Sequence, residues 1–232
     1  MDTHPPKHSK SRELTQTAIE AAINVVPMVG GTIGVLLMQG LNSKLNQRRD
    51  QWLTELAEAV EDLQDRVDGF DPESLTENPA FVDAVVTATR IVDRTSQFEK
   101  IELLRNAVLN AAMPGAPDLD VQQLYLNLID ELTPTHIRLL TLLNDPVGWF
   151  DRRPELVRPQ FGLSSNRTAL ITAALPDLGE KGRETIERFY AGLADGGLVN
   201  APLGGMMTAN GAFEPATTDF AESFLAFVRD PR

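Results

Sequence analysis

From Ala21 to Ser43 the chain reads AAINVVPMVGGTIGVLLMQGLNS, without one formal charge, in a protein of 232 residues whose net charge is -12. A stretch of this kind has two destinations. It is buried as a central helix or helical hairpin of a soluble bundle, or it leaves the fold for a bilayer, whose span takes about 20 apolar residues. Asn24, Gln39 and Asn42 interrupt the run, Pro27 divides it, and no aromatic residue marks an interface before Trp52. These features favour the buried helix. A conditional insertion, soluble until triggered, would use the same residues.

Helical spacing begins before the run, with Leu14, Ala18, Ile19, Ala22, Ile23 and Val26 three and four apart. Pro27 removes a helical hydrogen bond and crowds the preceding turn, so a kink is expected near Val26, with a second helical piece from Met28 to Leu45. Gly30, Gly31 and Gly34 would each weaken a lone helix by about 1 kcal/mol, a cost tolerated where another backbone comes close. Gly30 and Gly34 also have the small-x-x-x-small spacing of helix contacts in membranes. Pro27, Gly30, Gly31 and Gly34 are therefore the candidate membrane or helix-packing residues.

Composition narrows the function classes. With no cysteine there is no disulfide framework and no thiolate metal site, which suits a reducing cytosol. A pI near 4.7 argues against a surface that attracts phosphate backbones or anionic lipid throughout, so any such contact is local. Residues 1–12 read as a flexible tail, and Glu13 and Glu20 break the pattern of a secretory signal. His4 and His8 are solvated in that tail, and neither a metal nor a cofactor is expected. The protein is expected in the cytoplasm, or peripheral to the inner membrane if the first segment engages it.

After Leu41 the apolar residues Leu45, Trp52, Leu56, Ala59, Leu63 and Val67 form one stripe of an amphipathic helix over about Ser43 to Val67. Between Asp50 and Glu77 ten acids face the single base Arg66. That surface is a solvated face or a docking site for a basic protein partner, with Glu55, Glu58, Asp62 and Asp65 as the docking residues. Lys44, Arg48 and Arg49 make a short basic cluster where a cytoplasmic membrane flank would carry one. Gly69 is expected to close this helix, and Asn78 to cap the next at Pro79. That helix is expected to run through Phe81, Val85, Ala88, Val92, Phe98, Ile101, Leu104 and Val108 towards Asn110, bent or exposed at Asp93–Gln97. After the breaker at Met113–Asp118, Leu119 to Leu132 is helical with Val121, Leu124, Tyr125, Leu128 and Ile129 inwards.

At Thr133 the pattern changes, and a domain boundary is expected there, giving a helical bundle over 13–132 and a second module over 133–232. Thr133 is an N-cap with Pro134 at N1, and Asp145-Pro146 is a stop. The order that follows reads as a winged helix. A loop holds Trp149 and Phe150, a short helix spans about Asn166 to Leu175, and a third helix Glu180 to Ala194 is capped by Gly196 and Gly197. A small β-hairpin turns on Asn210-Gly211, and a last helix is capped by Thr217 or Thr218. The fold class is thus mainly α with one small hairpin.

Winged helices often bind DNA, so the third helix is the test. With Ile186, Phe189, Tyr190 and Leu193 facing inwards, Lys181, Arg183 and Arg188 are offset by Glu184 and Glu187, and the wing carries no Lys or Arg from Leu198 to Thr218. Arg152, Arg153, Arg158 and Arg167 lie before it. A nucleic-acid interface would draw on Arg152, Arg153, Arg167, Lys181, Arg183 and Arg188, and the charge pattern disfavours it. Catalysis has no foothold: phosphate loop, dinucleotide fingerprint, H-E-x-x-H and nucleophile elbow are all missing. His136 sits beside apolar positions with no nucleophile apparent, and reads as a packing residue. No small-molecule substrate is indicated.

The succession of an apolar, glycine-bearing first helix, RRDQWLTELAEAVEDL, EKIELLRNAVLNAA, LTPTHIRLLTLLND, LADGGLV and TTDFAESFLAFV resembles bacterial proteins of the abortive-infection alpha type. It is also similar to related bacterial proteins with a Pro-x-Val-Gly motif in the first helix, here Pro27, Val29 and Gly30. The resemblance spans most of residues 14–229 and implies a role in defence against phage, through growth arrest or membrane damage; the reading adopted from the residues is a non-catalytic effector or sensor with protein contacts to itself or to another chain. The resemblance implies no catalytic residues. The acidity of this chain and its alanine- and glycine-rich wing depart from the pattern.

Overall fold

A computed structural model describes residues 32–67, 71–208 and 210–231. The chain is mainly helical, with one small antiparallel sheet. The expected tail, the helix from Glu13, the kink at Pro27 and the cap at Gly69 lie outside the described residues.

The first helix, α1 (Thr32–Arg66), is continuous. The two helical pieces expected to meet near Ser43 are one, because nothing between Gly40 and Arg66 breaks the backbone pattern. Two compact units divide within it, residues 1–47 and 48–232. In the second, Trp52, Leu56, Ala59 and Leu63 are buried at the expected helical spacing and Val67 is half-buried. Trp52 fills its site completely and satisfies its indole by donating from Nε1 to Thr89 Oγ1 at 3.1 Å.

After the short α2 (Pro72–Leu75), α3 (Pro79–Arg94) starts on Asn78, whose side chain accepts from Ala80 N–H, and Pro79 occupies the first turn. The single long helix expected here is two. At Thr95 the backbone turns extended, Gln97 begins α4 (Phe98–Ala111), and the two residues just before the break are tied elsewhere. Arg49 pairs with Asp93, and Arg94 with Asp130 at 2.7 Å. The polar patch is the break itself, and it lets α3 fold back on α4 and α5 (Leu119–Glu131). On α5 Tyr125, Leu126 and Ile129 are buried, whereas Leu124, expected inwards, is exposed.

Thr133 opens α6 (Pro134–Asn144), and Asp145 both ends it and caps α7 (Pro146–Asp151) through Gly148 N–H at 2.8 Å. Trp149 and Phe150 thus lie on a helix, both buried, and not in a loop. Strand β1 (Ser164–Ser165) precedes α8 (Arg167–Ala174), which Asn166 caps through Ala169 N–H. The one-turn α9 (Pro176–Gly179) leads to α10 (Arg183–Asp195). Gly197, at φ +67°, closes α10, with Leu198 N–H returning to Leu193 O and Gly197 N–H to Ala194 O. Gly196 keeps a negative φ, so the left-handed cap is Gly197 alone.

The stretch after Leu198 does not form a hairpin on Asn210-Gly211. Its first residues pair with the approach to the last helix, Asn200 N–H to Ala216 O at 3.0 Å and Thr218 N–H to Leu198 O at 3.2 Å, and β2 (Met207–Thr208) pairs antiparallel with β1, Ser164 opposite Thr208 and Ser165 opposite Met207. Residues Gly211–Phe213 form a 3-10 turn, and Val199 bridges Thr217. Thr218 then caps α11 (Asp219–Phe227) by accepting from Ala221 N–H.

Buried side chains from Trp52 to Val228 form one cluster. Thr133, where the sequence suggests a boundary, separates no two cores, and α11 is the reason. It packs on α4 and on α6, Phe220, Phe224 and Phe227 surround the Tyr125 ring at 5.2 to 5.6 Å, and Asn110 Nδ2 reaches the carbonyls of Phe227 and Arg229 at 2.8 Å each.

Candidate interaction surfaces

Of the glycine-rich set, Pro27, Gly30 and Gly31 lie outside the described residues, and Gly34 falls in the first turn of α1. Further along that helix, Leu37 (61% exposed), Leu41 (58%) and Leu45 (38%) recur every four residues and so share one stripe open to solvent. Leu45, expected on the buried stripe with Trp52, belongs to this outer one. Among the described residues no helix is long and apolar enough to cross a membrane.

The acidic face of α1 is as the pattern suggests. Glu58, Asp62 and Asp65 are exposed and Glu55 is half-buried, accepting from Gln51 Nε2 at 2.8 Å. The nearby basic cluster is partly occupied: Arg49 pairs with Asp93, and Arg48 Nη1 donates to the Asp93 carbonyl at 3.4 Å, near the end of α3. A cation at a helix C-terminus offsets the partial negative charge of the last carbonyls. The side-chain bond to Asp93, ahead of the partial burial that opposes it, holds the Arg49 pKa above its usual value.

The cations proposed from sequence for nucleic acid are dispersed, and most are engaged. On α10, Arg183 pairs with Glu187 at 2.6 Å and Arg188 with Glu184 at 3.3 Å, both one turn apart, while Lys181 is exposed just before the helix. Ile186, Tyr190 and Leu193 are buried and Phe189 half-buried, which leaves this charge-balanced face outside. Arg152 bonds the Asp145 carboxylate at 3.1 Å, and Arg158 pairs with Asp151. The Arg153 guanidinium lies 3.5 Å from the centre of the Trp149 ring, a cation–π contact of about 1 kcal/mol.

Arg167 is the exception. It stands in no loop but is the first residue of α8, and only 6% of it is exposed. Its Nη1 reaches the Pro202 carbonyl at 3.4 Å, its Nε has no partner, and no ion pair forms on it among the described residues. The neighbouring Ala201 carbonyl accepts from Tyr190 Oη, so two successive carbonyls are fixed beside the guanidinium. Burial pushes the Tyr190 pKa up, partly opposed by the Arg167 charge. Arg167 lines a groove of about 570 Å³ with Ser164, Met207, Thr208 and Glu214, and the side chains of Leu163 and Met206 stand almost wholly in solvent on its rim. Sequence flags Arg167 only as a cation. Leu163 and Met206, each beside a glycine in an aperiodic stretch, carry a signal only in lacking a helical or strand pattern that would bury them.

His136 lies at the third position of α6. Its Nδ1 accepts from Thr133 N–H at 3.2 Å and lies 2.9 Å from Thr133 Oγ1, and its ring meets Phe189 edge-on at 4.6 Å. Burial, with the Lys100 charge second, lowers its pKa below the usual 6.5. Thr133 supplies the hydroxyl beside it, and no cluster that could hold a metal occurs among the described residues. Compared with protein-family models, curated proteins and solved structures, the chain matches none.

Proposed function

We propose that this is a non-catalytic bacterial effector or sensor of phage defence, working through protein contacts, with α1 as the element that also engages the membrane. The observation that carries the reading is the stripe Leu37, Leu41 and Leu45, a solvent-facing continuation of the uncharged run that begins at Ala21. Leaving three leucines in water forgoes the burial that normally drives folding, and such a face is maintained for a surface that will cover it. The family resemblance in the order of segments supplies the defence context.

In this reading the N-terminal part is a helical bundle with an acidic docking face, and the C-terminal part a winged-helix module. Its order α6, β1, α8, α10 and the Val199–Thr217 bridge supports that reading. The module packs proteins and not duplexes: the charges of α10 are spent on one another, and a recognition helix needs its cations for phosphate. The protein then works in the cytoplasm or at the inner face of the membrane.

The test is co-sedimentation with vesicles of phosphatidylethanolamine and phosphatidylglycerol. Full-length protein is expected to pellet with them, and the variant Leu37→Glu, Leu41→Glu, Leu45→Glu to stay in the supernatant with unchanged circular dichroism of its core. Equal sedimentation of the two proteins would remove α1 from the mechanism.

A further inference from the structure

We propose that the groove over β1 and β2 binds an extended segment of a partner protein, whose carboxylate is received by Arg167 and whose flanking apolar side chains are received by Leu163 and Met206. The proposal rests on the reading of this protein as one that works through protein contacts.

The first argument is the cost of Arg167. A guanidinium stays charged at any pH a cell reaches, so burial cannot be relieved by losing the proton. Buried charges are ordinarily paired; Lys100, the other cation more than nine-tenths buried among the described residues, donates to the Asp130 carbonyl at 2.7 Å, and the half-buried Arg105, whose Nε also lacks a hydrogen bond, has the Glu102 carboxylate at 3.6 Å. Arg167 has one long bond to a carbonyl and an Nε with none. In a chain with 33 acids against 21 bases, a buried cation without its own carboxylate is a place kept for someone else's.

The chemistry of the rim selects the ligand. Nε–H is one tine of the side-on fork that a carboxylate accepts. Phosphate also fits such a fork, but a nucleic acid brings a row of phosphates, and the groove offers no second cation: its other lining residues are polar, apolar or, at Glu214, acidic. Glu214 opposes any anion, and Arg167 offsets that repulsion for one carboxylate but not for a row of phosphates. Leu163 and Met206 are the two most exposed large apolar side chains among the described residues, and they line the same groove as this buried cation. One carboxylate between apolar groups is the complement of that arrangement, and an extended peptide presents such groups at alternate positions along the short β1–β2 pair.

The experiment uses the full chain with labelled arginine and follows the Nε–Hε resonance of Arg167, assigned by its disappearance in Arg167→Lys. Two blocked peptides are titrated, acetyl-Leu-Ser-Glu-Ser-Leu-amide and acetyl-Leu-Ser-Gln-Ser-Leu-amide, in which the central residue and both leucines share one face of the extended chain, with sodium acetate and a DNA duplex as further probes. The glutamate peptide is expected to shift the signal saturably, and the glutamine peptide to bind at least about tenfold more weakly, the loss of one charge-assisted bond. Leu163→Ser with Met206→Ser, two side chains that the core does not use, is expected to weaken the glutamate peptide several-fold with the fold intact. Equal responses to the two peptides, no response to either, acetate binding as well as the peptide, or a shift by duplex DNA alone would each overturn the proposal. Vesicle association through α1 is read independently, so either result stands without the other.

Discussion

Gly192, in the middle of α10, is the floor on which the His136 imidazole lies: a Cβ placed on Gly192 would stand 2.8 Å from Nε2. That distance is shorter than real carbon contacts allow, and the ring has little room to retreat, held by Thr133 on one side and Phe189 on another. Gly192→Ala gains about 1 kcal/mol of helix propensity and loses about 1–3 to overpacking, so a net loss is expected. The companion His136→Ala removes the obstacle. In a double-mutant cycle read by denaturant midpoint, Gly192→Ala should stabilise the His136→Ala background and destabilise the wild type. The two tryptophans, both buried, report the transition by fluorescence.

The same histidine gives a pH dependence of definite sign. Burial lowers its folded pKa below 6.5, so the unfolded chain binds the proton more readily. Stability is therefore complete above 6.5, falls as the pH drops through that value, and stops falling once the pH is below the lowered folded pKa. Asp145, held down by Gly148 N–H, and Asp177, held down by Arg138, contribute stability above 3.8 that is lost as the pH falls through their depressed values. The interval between 6.5 and 3.8 isolates His136. His136→Gln keeps a capping-box acceptor opposite Thr133 and cannot titrate. Thermal melts across that interval should decline for the wild type and show a shallower decline for the variant.

Helix boundaries marked by side-chain chemistry were legible before any coordinates. Asn78 and Thr133 cap the helices expected of them, and Thr218 is the one of the two expected threonines that caps the last helix, because a short polar side chain before an apolar period has one good use. The break at Thr95–Gln97 was harder, since it holds neither glycine nor proline and its surroundings are held from distant parts of the chain, Asp93 and Arg94 before it by Arg49 and Asp130, and Lys100 after it by the Asp130 carbonyl. The β1–β2 pair was invisible: Ser164 and Ser165 have little strand propensity, and Asn210-Gly211 promised a different turn. The cations were legible as charges, yet whether each is paired or buried is a property of the tertiary fold, and this separates Arg167 from Arg152.

Asn110 fixes the end of the chain. Its amide donates to Phe227 O and Arg229 O at 2.8 Å each and to Asn106 O at 2.9 Å, so it satisfies carbonyls that α11 leaves open where it ends on the core. Asn110→Ala is expected to cost about 1–3 kcal/mol by stranding those partly buried acceptors. Asn110→Asp should cost more, because a carboxylate cannot donate and repels the same oxygens. Hydrogen exchange should show the loss first in α11, and equal protection of that helix in all three proteins would contradict the assignment.

The last expectation concerns DNA. Log affinity for a duplex falls with log salt in proportion to the phosphates that a protein neutralises. On α10 the two arginines already neutralise Glu184 and Glu187, so a phosphate must compete for each with a carboxylate one turn away. Full-length protein is therefore expected to give no salt-dependent anisotropy change with labelled duplex at physiological ionic strength. Glu184→Gln with Glu187→Gln releases both cations, and if the helix face is shaped for a groove, that variant alone should gain affinity. Surface pairs of this kind contribute about 0–1 kcal/mol, so the change leaves folding intact and the comparison clean. Salt-dependent binding by the wild type, abolished by Arg183→Gln with Arg188→Gln, would return the C-terminal part to the nucleic-acid readers.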